Sequence, residues 1–362
     1  MVYGSYGYTG RLVVEECDRR GVEVVVAGRD AEKVETQADR WGVDGRVFSL
    51  DGAREGIEGA DAVLNCAGPF SKTHDTVVDA CIAEGADYLD ITGEVDVFES
   101  VARRDGEARG ADVTLLPGVG FDVVPSDCLA AYLAEKVDEP SYLALALRSL
   151  PNVSPGTART VVESLGKSGV VRRDGSIQEV PPAWKTRHAD FGDGRGNVEV
   201  TTMPLGDVVT AYRTTGIDNI ECYVDLPRPA RLLARTSRYA APFLRAKPTQ
   251  AVLKRVADAV ARGPDEEERV TEAGYVWGEV RGKSVSGDDQ TDGETGGDEK
   301  HVARLRTPEP YALTARTATV ALERVGDADA GYQTPATAFG ADFIVEFDGV
   351  EREDVDMNLD AT

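Results

Sequence analysis

Short apolar runs alternate with longer amphipathic stretches through the first third of the chain. Val22-Glu23-Val24-Val25-Val26-Ala27 is β-branched and nearly all apolar, as a strand buried on both faces should be. Similar runs follow at Val47–Leu50, ending in Asp51-Gly52, at Ala62–Cys66, at Tyr88–Ile91 and at Val113–Leu116. Between them the spacing becomes helical. Asp30–Trp41 forms one such segment, and Thr76–Ala83 places Val77, Val78, Cys81 and Ile82 on one face. Strands alternating with helices predict a doubly wound parallel sheet over residues 1–127. The first strand has room only for Met1 to Tyr3, where about five residues are usual, which predicts a natural start upstream.

Past about Val137 the pattern changes. Tyr142–Leu147, Asn197–Thr202, Ile220–Val224, Tyr275–Val280 and Val302–Leu305 alternate apolar with small or polar residues. Half-buried strands read this way, so residues 128–332 are expected to form an α+β domain with a mostly antiparallel sheet. Residues 284–299 have almost no apolar side chains and predict a mobile acidic hairpin loop. The tail, 333–362, reads as helix then strand over Thr334–Val345, returning to the first domain.

The candidate chemistry starts at Gly4, Gly7 and Gly10, spaced three apart between a short strand and a helix beginning near Thr9. Glycine permits a sharp turn and close approach to a phosphate, and a helix N-terminus aims free N–H groups at it. The spacing differs from the strict G-x-G-x-x-G fingerprint, so alone it is equally a plain strand–helix turn. Gly28-Arg29 ends the next strand, where NAD enzymes offer a carboxylate to the ribose and NADP enzymes a cation to the 2′-phosphate. Arg29, with Lys33 one turn on, therefore points to NADP over NAD, although Asp30 adds a negative charge beside them.

The charge is −24, from 64 acidic and 40 basic residues. Such a coat repels nucleic acid and suits a protein adapted to high salt, an extreme halophile. The five cysteines are scattered and odd in number, and the three histidines are dispersed, so no metal site is expected. No apolar run is long enough to span a membrane and no leader precedes the glycine turn, which predicts a cytoplasmic protein. One stretch breaks the acidic rule. Residues 226–257 hold Arg228, Arg231, Arg235, Arg238, Arg245, Lys247, Lys254 and Arg255, with Leu232, Leu233, Tyr239, Phe243 and Leu244 interleaved. It reads either as a peripheral contact with anionic lipid or an acyl-carrier partner, or as a helix pair packing on the acidic surface of a homodimer mate.

Several phrases together resemble the saccharopine dehydrogenase-like oxidoreductases. They are Tyr3–Gly10, Ala27-Gly28-Arg29, Asn65-Cys66-Ala67-Gly68-Pro69-Phe70, Tyr88–Glu94 and Gly118–Asp127. Leu313-Thr314-Ala315 and Gln333–Gly340 add a likeness to the trans-acting enoyl reductase branch. The resemblance implies a Rossmann domain plus an α+β domain carrying substrate and dimer contacts. It implies that the Gly4–Gly10 turn, with Tyr6, Tyr8 and Thr9, holds the cofactor phosphates. It implies that Ala67, Gly68, Pro69 and Phe70 lie beside the ribose and nicotinamide. Asp51, at the end of the third strand, joins the candidate cofactor residues.

Hydride transfer is the cofactor's chemistry; the protein must align two rings and manage one proton. Asp90 and Glu94 past the fifth strand, and Asp122 past the sixth, are the candidate carboxylates. Asp90 or Asp122 could equally tie a loop through backbone N–H groups. His74, opening the helix after Ala67–Phe70, reads either as a proton donor or as an ordinary exposed helix residue, and Tyr6 and Tyr8 as cofactor packing. A substrate with several carboxylates would need clustered cations, and the second domain offers only Arg148 and Arg159 near strand and helix ends. The expected activity is therefore NADP-dependent reduction of an enoyl or carbonyl group in an apolar, lipid-like molecule. A non-catalytic redox-sensing or membrane-docking protein is the alternative.

Overall fold

A computed structural model describes residues 1–148, 152–283 and 298–355. Two sheets make up the molecule. The first contains β1 (Val2–Tyr3), β2 (Val26–Gly28), β3 (Gly45–Val47), β4 (Ala62–Asn65), β5 (Asp87–Asp90) and β6 (Thr114–Leu116). Its spatial order is β3-β2-β1-β4-β5-β6, all parallel, so the order reverses between β1 and β4. A ligand crevice forms outside the carboxyl ends at such a reversal. One face of the sheet buries Val13, Val14 and Cys17 of helix Tyr8–Arg20 with Ala315 and Ala318 of helix Pro310–Arg324. The other buries Val77, Val78 and Cys81 of helix Phe70–Glu84 with Val97 and Val101 of helix Val95–Ala102.

The second sheet is built from β7 (Asp138–Arg148), β8 (Gly169–Arg173), β9 (Ser176–Val180), β10 (Thr186–Asp190), β11 (Asn197–Thr202), β12 (Ile220–Asp225), β13 (Ala273–Lys283) and β14 (Asp298–Pro308). All its pairings are antiparallel except β12 with β7. Its main core packs against helices Val124–Ala134 and Asp207–Thr215. Among the described residues no helix is long and apolar enough to cross a membrane.

Three local expectations are corrected. The third strand lies at Gly45–Val47, and Leu50–Gly52 is a turn of 3₁₀ helix, because Gly45 packs close under Val34 and Ala38 while Ser49 leaves the strand path. Of the expected loop 284–299, residues 284–297 lie outside the described residues, whereas Asp298 and Glu299 begin β14 in register with Lys283 and Gly282. The tail does not run helix then strand over Thr334–Val345. Helix Pro335–Phe339 is followed by a 3₁₀ turn at Phe343–Glu346 that buries Phe343 and Ile344. The strands lie on either side of it. β15 (Gly331–Tyr332) adds parallel to β6 in the first sheet, and β16 (Glu351–Asp354) adds to β14 in the second.

Asp127 fastens this return: its carboxylate accepts from the Thr214 hydroxyl at 2.6 Å and the Ala336 N–H at 2.8 Å. Nearby Asp207 is fully buried and neither of its oxygens has a hydrogen bond of good geometry among the described residues. Burial pushes its carboxyl up to about 7, against the pull of the Ser126 hydroxyl and with the charge of Asp127 adding to the rise. A raised carboxyl stabilises the fold below the unfolded value of 3.8, and that contribution is lost as pH climbs toward about 7. Asp207→Asn is expected to be more stable than wild type at pH 8 by roughly 2–4 kcal/mol, the gap closing as pH falls toward ~4. Thermal melts of both proteins across that range check it; a gap constant with pH would contradict it.

Candidate functional site

The site sits at the carboxyl ends of β1, β4, β5 and β6. Gly4 leaves β1 at φ +80°, and a Cβ there would stand 2.7 Å from the Ala67 nitrogen, so the turn after β1 and the loop after β4 touch backbone to backbone. A Cβ on Gly10 would meet the Gly4 oxygen at 2.5 Å, which fixes helix Tyr8–Arg20 hard against that turn. Gly7 is the helix N-cap and no side chain caps it. Its first intrahelical bond is Arg11 N–H to the Gly7 oxygen at 3.0 Å, leaving the Tyr8, Thr9 and Gly10 N–H groups for an anion, while the Gly4 and Gly7 N–H groups donate to the Ala27 and Gly4 oxygens at 2.8 and 3.0 Å. The turn therefore fits a dinucleotide diphosphate, which the Tyr8, Thr9 and Gly10 N–H groups would hold, with Gly4 and Gly7 shaping the turn.

Tyr6 lies on Gly28, where a Cβ would come within 2.4 Å of its ring, and Lys33 Nζ stands 5.5 Å over that ring. Lys33 is drawn to Asp30 at 3.0 Å, and Asp30 also caps helix Ala31–Trp41 by accepting the Lys33 N–H. Arg29, exposed at the end of β2, has no ion-pair partner among the described residues. Asp51 is exposed in the turn after β3.

The loop Ala67–Phe70 is braced from below, and here residues matter that the sequence reading passed over. Asn65 Oδ1 accepts the Ala67 N–H at 3.0 Å, while Asn65 Nδ2 donates to Thr73 Oγ1 at 3.2 Å. Thr73 in turn donates to the Ala67 oxygen at 2.8 Å. A cis peptide joins Gly68 to Pro69, and Phe70 starts the following helix. Its N–H donates to Glu94 Oε1 at 3.2 Å. Glu94 thus closes the N-terminus of the helix that follows the loop; burial raises its carboxyl, opposed by the Ser71 hydroxyl. His74 is buried, not exposed as its place on the helix suggested, with Nδ1 against the Phe70 oxygen at 2.8 Å.

The carboxylates separate by role. Asp90 is fully buried; it accepts from the Tyr88 hydroxyl at 2.7 Å and from the Thr92 and Gly118 N–H groups at 2.9 Å each. Its oxygens tie the loops after β5 and β6 together. Asp122 is the reverse. It is open to solvent and has no hydrogen-bond partner among the described residues. Its Oδ2 would lie 3.1 Å from a Cβ on Gly93, so it rests on the backbone of the β5 loop. Surrounding protein still pushes its carboxyl up, with no bond to offset the rise.

The second domain closes the crevice. Tyr8 reaches across and donates to the Pro264 oxygen, with its ring edge-on to Tyr311 at 5.1 Å. Tyr8 is thus a bridge between domains in addition to any cofactor contact. Arg269 Nη1 lies 3.4 Å from the same hydroxyl and donates to Pro264 at 3.1 Å. The Tyr311 hydroxyl accepts the Ser154 N–H at 2.7 Å and shares a bond with Thr157 Oγ1 at 3.0 Å. Arg148, weighed above as a substrate cation, is buried between Asp193 and Asp225. Among the described residues no group of three or more His, Cys, Asp or Glu side chains is placed to hold a metal.

A glycine turn at the reversal of a parallel β-sheet, uncapped toward the crevice, defines an NAD(P)-binding Rossmann domain. Residues 1–116 match, more narrowly, the family model of the saccharopine dehydrogenase NADP binding domain. The chain is similar to the saccharopine dehydrogenase-like oxidoreductase of Homo sapiens, 27% identical over 211 residues, covering 50% of this chain and 49% of that protein. A Mycobacterium tuberculosis protein bearing the name of a trans-acting enoyl reductase is 29% identical over 182 residues, covering 46% of this chain and 43% of its own. The chain spans about half the length of the curated relatives it matches. Apo saccharopine dehydrogenase (L-Glu forming) from Saccharomyces cerevisiae shares the fold over 98% of this chain and 99% of its own, with a TM-score of 0.64 at 12% identity.

Proposed function

We propose that the protein is an NADP-dependent reductase acting on an enoyl or carbonyl group in an apolar, lipid-like substrate. The observation that carries the cofactor preference is Arg29: a free guanidinium at the end of β2, while Lys33 beside it is engaged by Asp30. A 2′-phosphate offers it a bidentate partner, which a ribose hydroxyl does not. Against a polycarboxylate substrate stands the burial of Arg148 in ion pairs. The likeness to a protein named as an enoyl reductase supports the substrate class.

When bound, the cofactor supplies the hydride. The chain's own part is to fix the ring and handle the proton. Asn65 and Thr73 hold the Ala67 backbone, Glu94 holds Phe70, and Asp90 locks the loops that present Asp122. Asp122, beside Gly93 on the loop from β5, would pass a proton from its carboxyl to a substrate carbon or oxygen.

Arg29→Ala is expected to weaken NADPH binding by about 1–3 kcal/mol and to leave NADH binding unchanged. Fluorescence titration with both cofactors decides it. Equal loss for both would remove the 2′-phosphate assignment.

A further inference from the structure

We infer that helices Arg228–Thr236, Ala241–Leu244 and Lys247–Val260 form a docking face for an anionic lipid surface. Four bulky apolar side chains stand out from this short segment: Leu232 is 65% exposed, Leu233 62%, Tyr239 76% and Phe243 70%. On the last helix Val252, Val256 and Val260 line up at successive turns, also exposed. A helix in a water-facing position normally shows water its polar side; here the apolar side is shown.

The charge completes the match. No Asp or Glu occurs between residues 226 and 257 in a chain of net charge −24. Part of the basic set is used internally: Arg231 pairs with Glu199, Arg245 donates to the Gly166 oxygen, and Lys254 pairs with Glu163. Arg228, Lys247 and Arg255 are exposed and have no ion-pair partner among the described residues. Cations ringing protruding Leu, Phe and Tyr are the composition that sits at a headgroup boundary, apolar tips inward and guanidinium groups on phosphate.

The face also lies next to the crevice. Gln250 donates to the Val162 oxygen at 3.0 Å, which seats the last helix on helix Pro155–Ser164. That helix begins at Ser154 and Thr157, the partners of Tyr311. The chain then passes through Gly263 and Pro264, where Tyr8 is bound. Lipid bound on the face would stand beside the opening between the domains.

The test is co-sedimentation with vesicles of equimolar phosphatidylglycerol and phosphatidylcholine, against pure phosphatidylcholine. It is run at the lowest salt that preserves the circular dichroism spectrum. Wild type is expected to pellet with the anionic vesicles. Leu232→Ser, Leu233→Ser and Phe243→Ser combined should weaken that partitioning at least about tenfold with NADPH binding unchanged. Arg228→Gln, Lys247→Gln and Arg255→Gln combined should erase the preference for the anionic vesicles. Absence of pelleting, or equal pelleting of all three proteins, overturns the inference. So does a dimer in sedimentation equilibrium that the serine variant dissociates without any change in vesicle binding, since the face then belongs to a second copy. Because the readout is vesicle binding, it stands or falls apart from the reductase reading.

Discussion

Asp122→Asn should lower turnover by about 10²–10⁴-fold while NADPH binds as tightly as before. Three features of the crevice lead there. The carboxylate has no competing partner among the described residues, unlike Asp90, whose oxygens are fully engaged. It rests over Gly93, on the loop from β5. The protein around it raises its pKa, so it keeps its proton to higher pH than an ordinary aspartate. If it acts as the acid, the wild-type rate falls as pH rises through its folded pKa, and the asparagine variant loses that limb. NADPH oxidation with a panel of enoyl thioesters and ketones, run from pH 5 to 9, supplies the profile. A variant that keeps full rate with the same pH limb would exclude Asp122 from proton transfer. Asp90→Asn should instead lower thermal stability, since it loosens the Thr92 and Gly118 backbone contacts.

Gly10→Ala should abolish measurable NADPH binding and cost about 1–3 kcal/mol of stability. The new methyl group would stand 2.5 Å from the Gly4 oxygen and 2.8 Å from the Ser5 oxygen, both backbone atoms with no rotamer to escape into. The only relief is to move the helix off the turn, which spreads the N–H groups meant for the diphosphate. Gly106→Ala is the control, because a Cβ there meets nothing within 4 Å. Calorimetric titration with NADPH and a thermal melt of each variant separate the two effects. Gly10→Ala binding NADPH within a few fold of wild type would show that the turn does not hold the phosphates.

Much of this frame is legible in the chain. The glycine spacing, the β-branched run at Val22–Ala27 and the small residues after β4 mark one crevice edge, because close backbone approach leaves no other residue type available. Alternation through Tyr142–Leu147 and its successors marks the second sheet. What the chain conceals is partnership at a distance. Asp90 and Asp122 look alike in sequence, each near a glycine at a strand's end. Only the fold shows that Tyr88 and Gly118 claim one and that no partner among the described residues claims the other. Tyr311 and Ser154 are far apart in sequence, so neither carries a local signal of the bond they share. Arg269 is hidden by its neighbours, since Glu266–Thr271 reads as one more charged helix.

The route of the final segment has a practical result. Helix Pro310–Arg324 covers one face of the first sheet, Gly331–Tyr332 supplies its edge strand, and Glu351–Asp354 then crosses back to the other sheet. The first half of the molecule is therefore finished by chain that lies beyond residue 309. A gene fragment ending near residue 127 would leave Thr114 and Leu115 without their flanking strand and Val13 and Val14 without their cover. Such a fragment should need the remaining polypeptide supplied in trans before it folds at all.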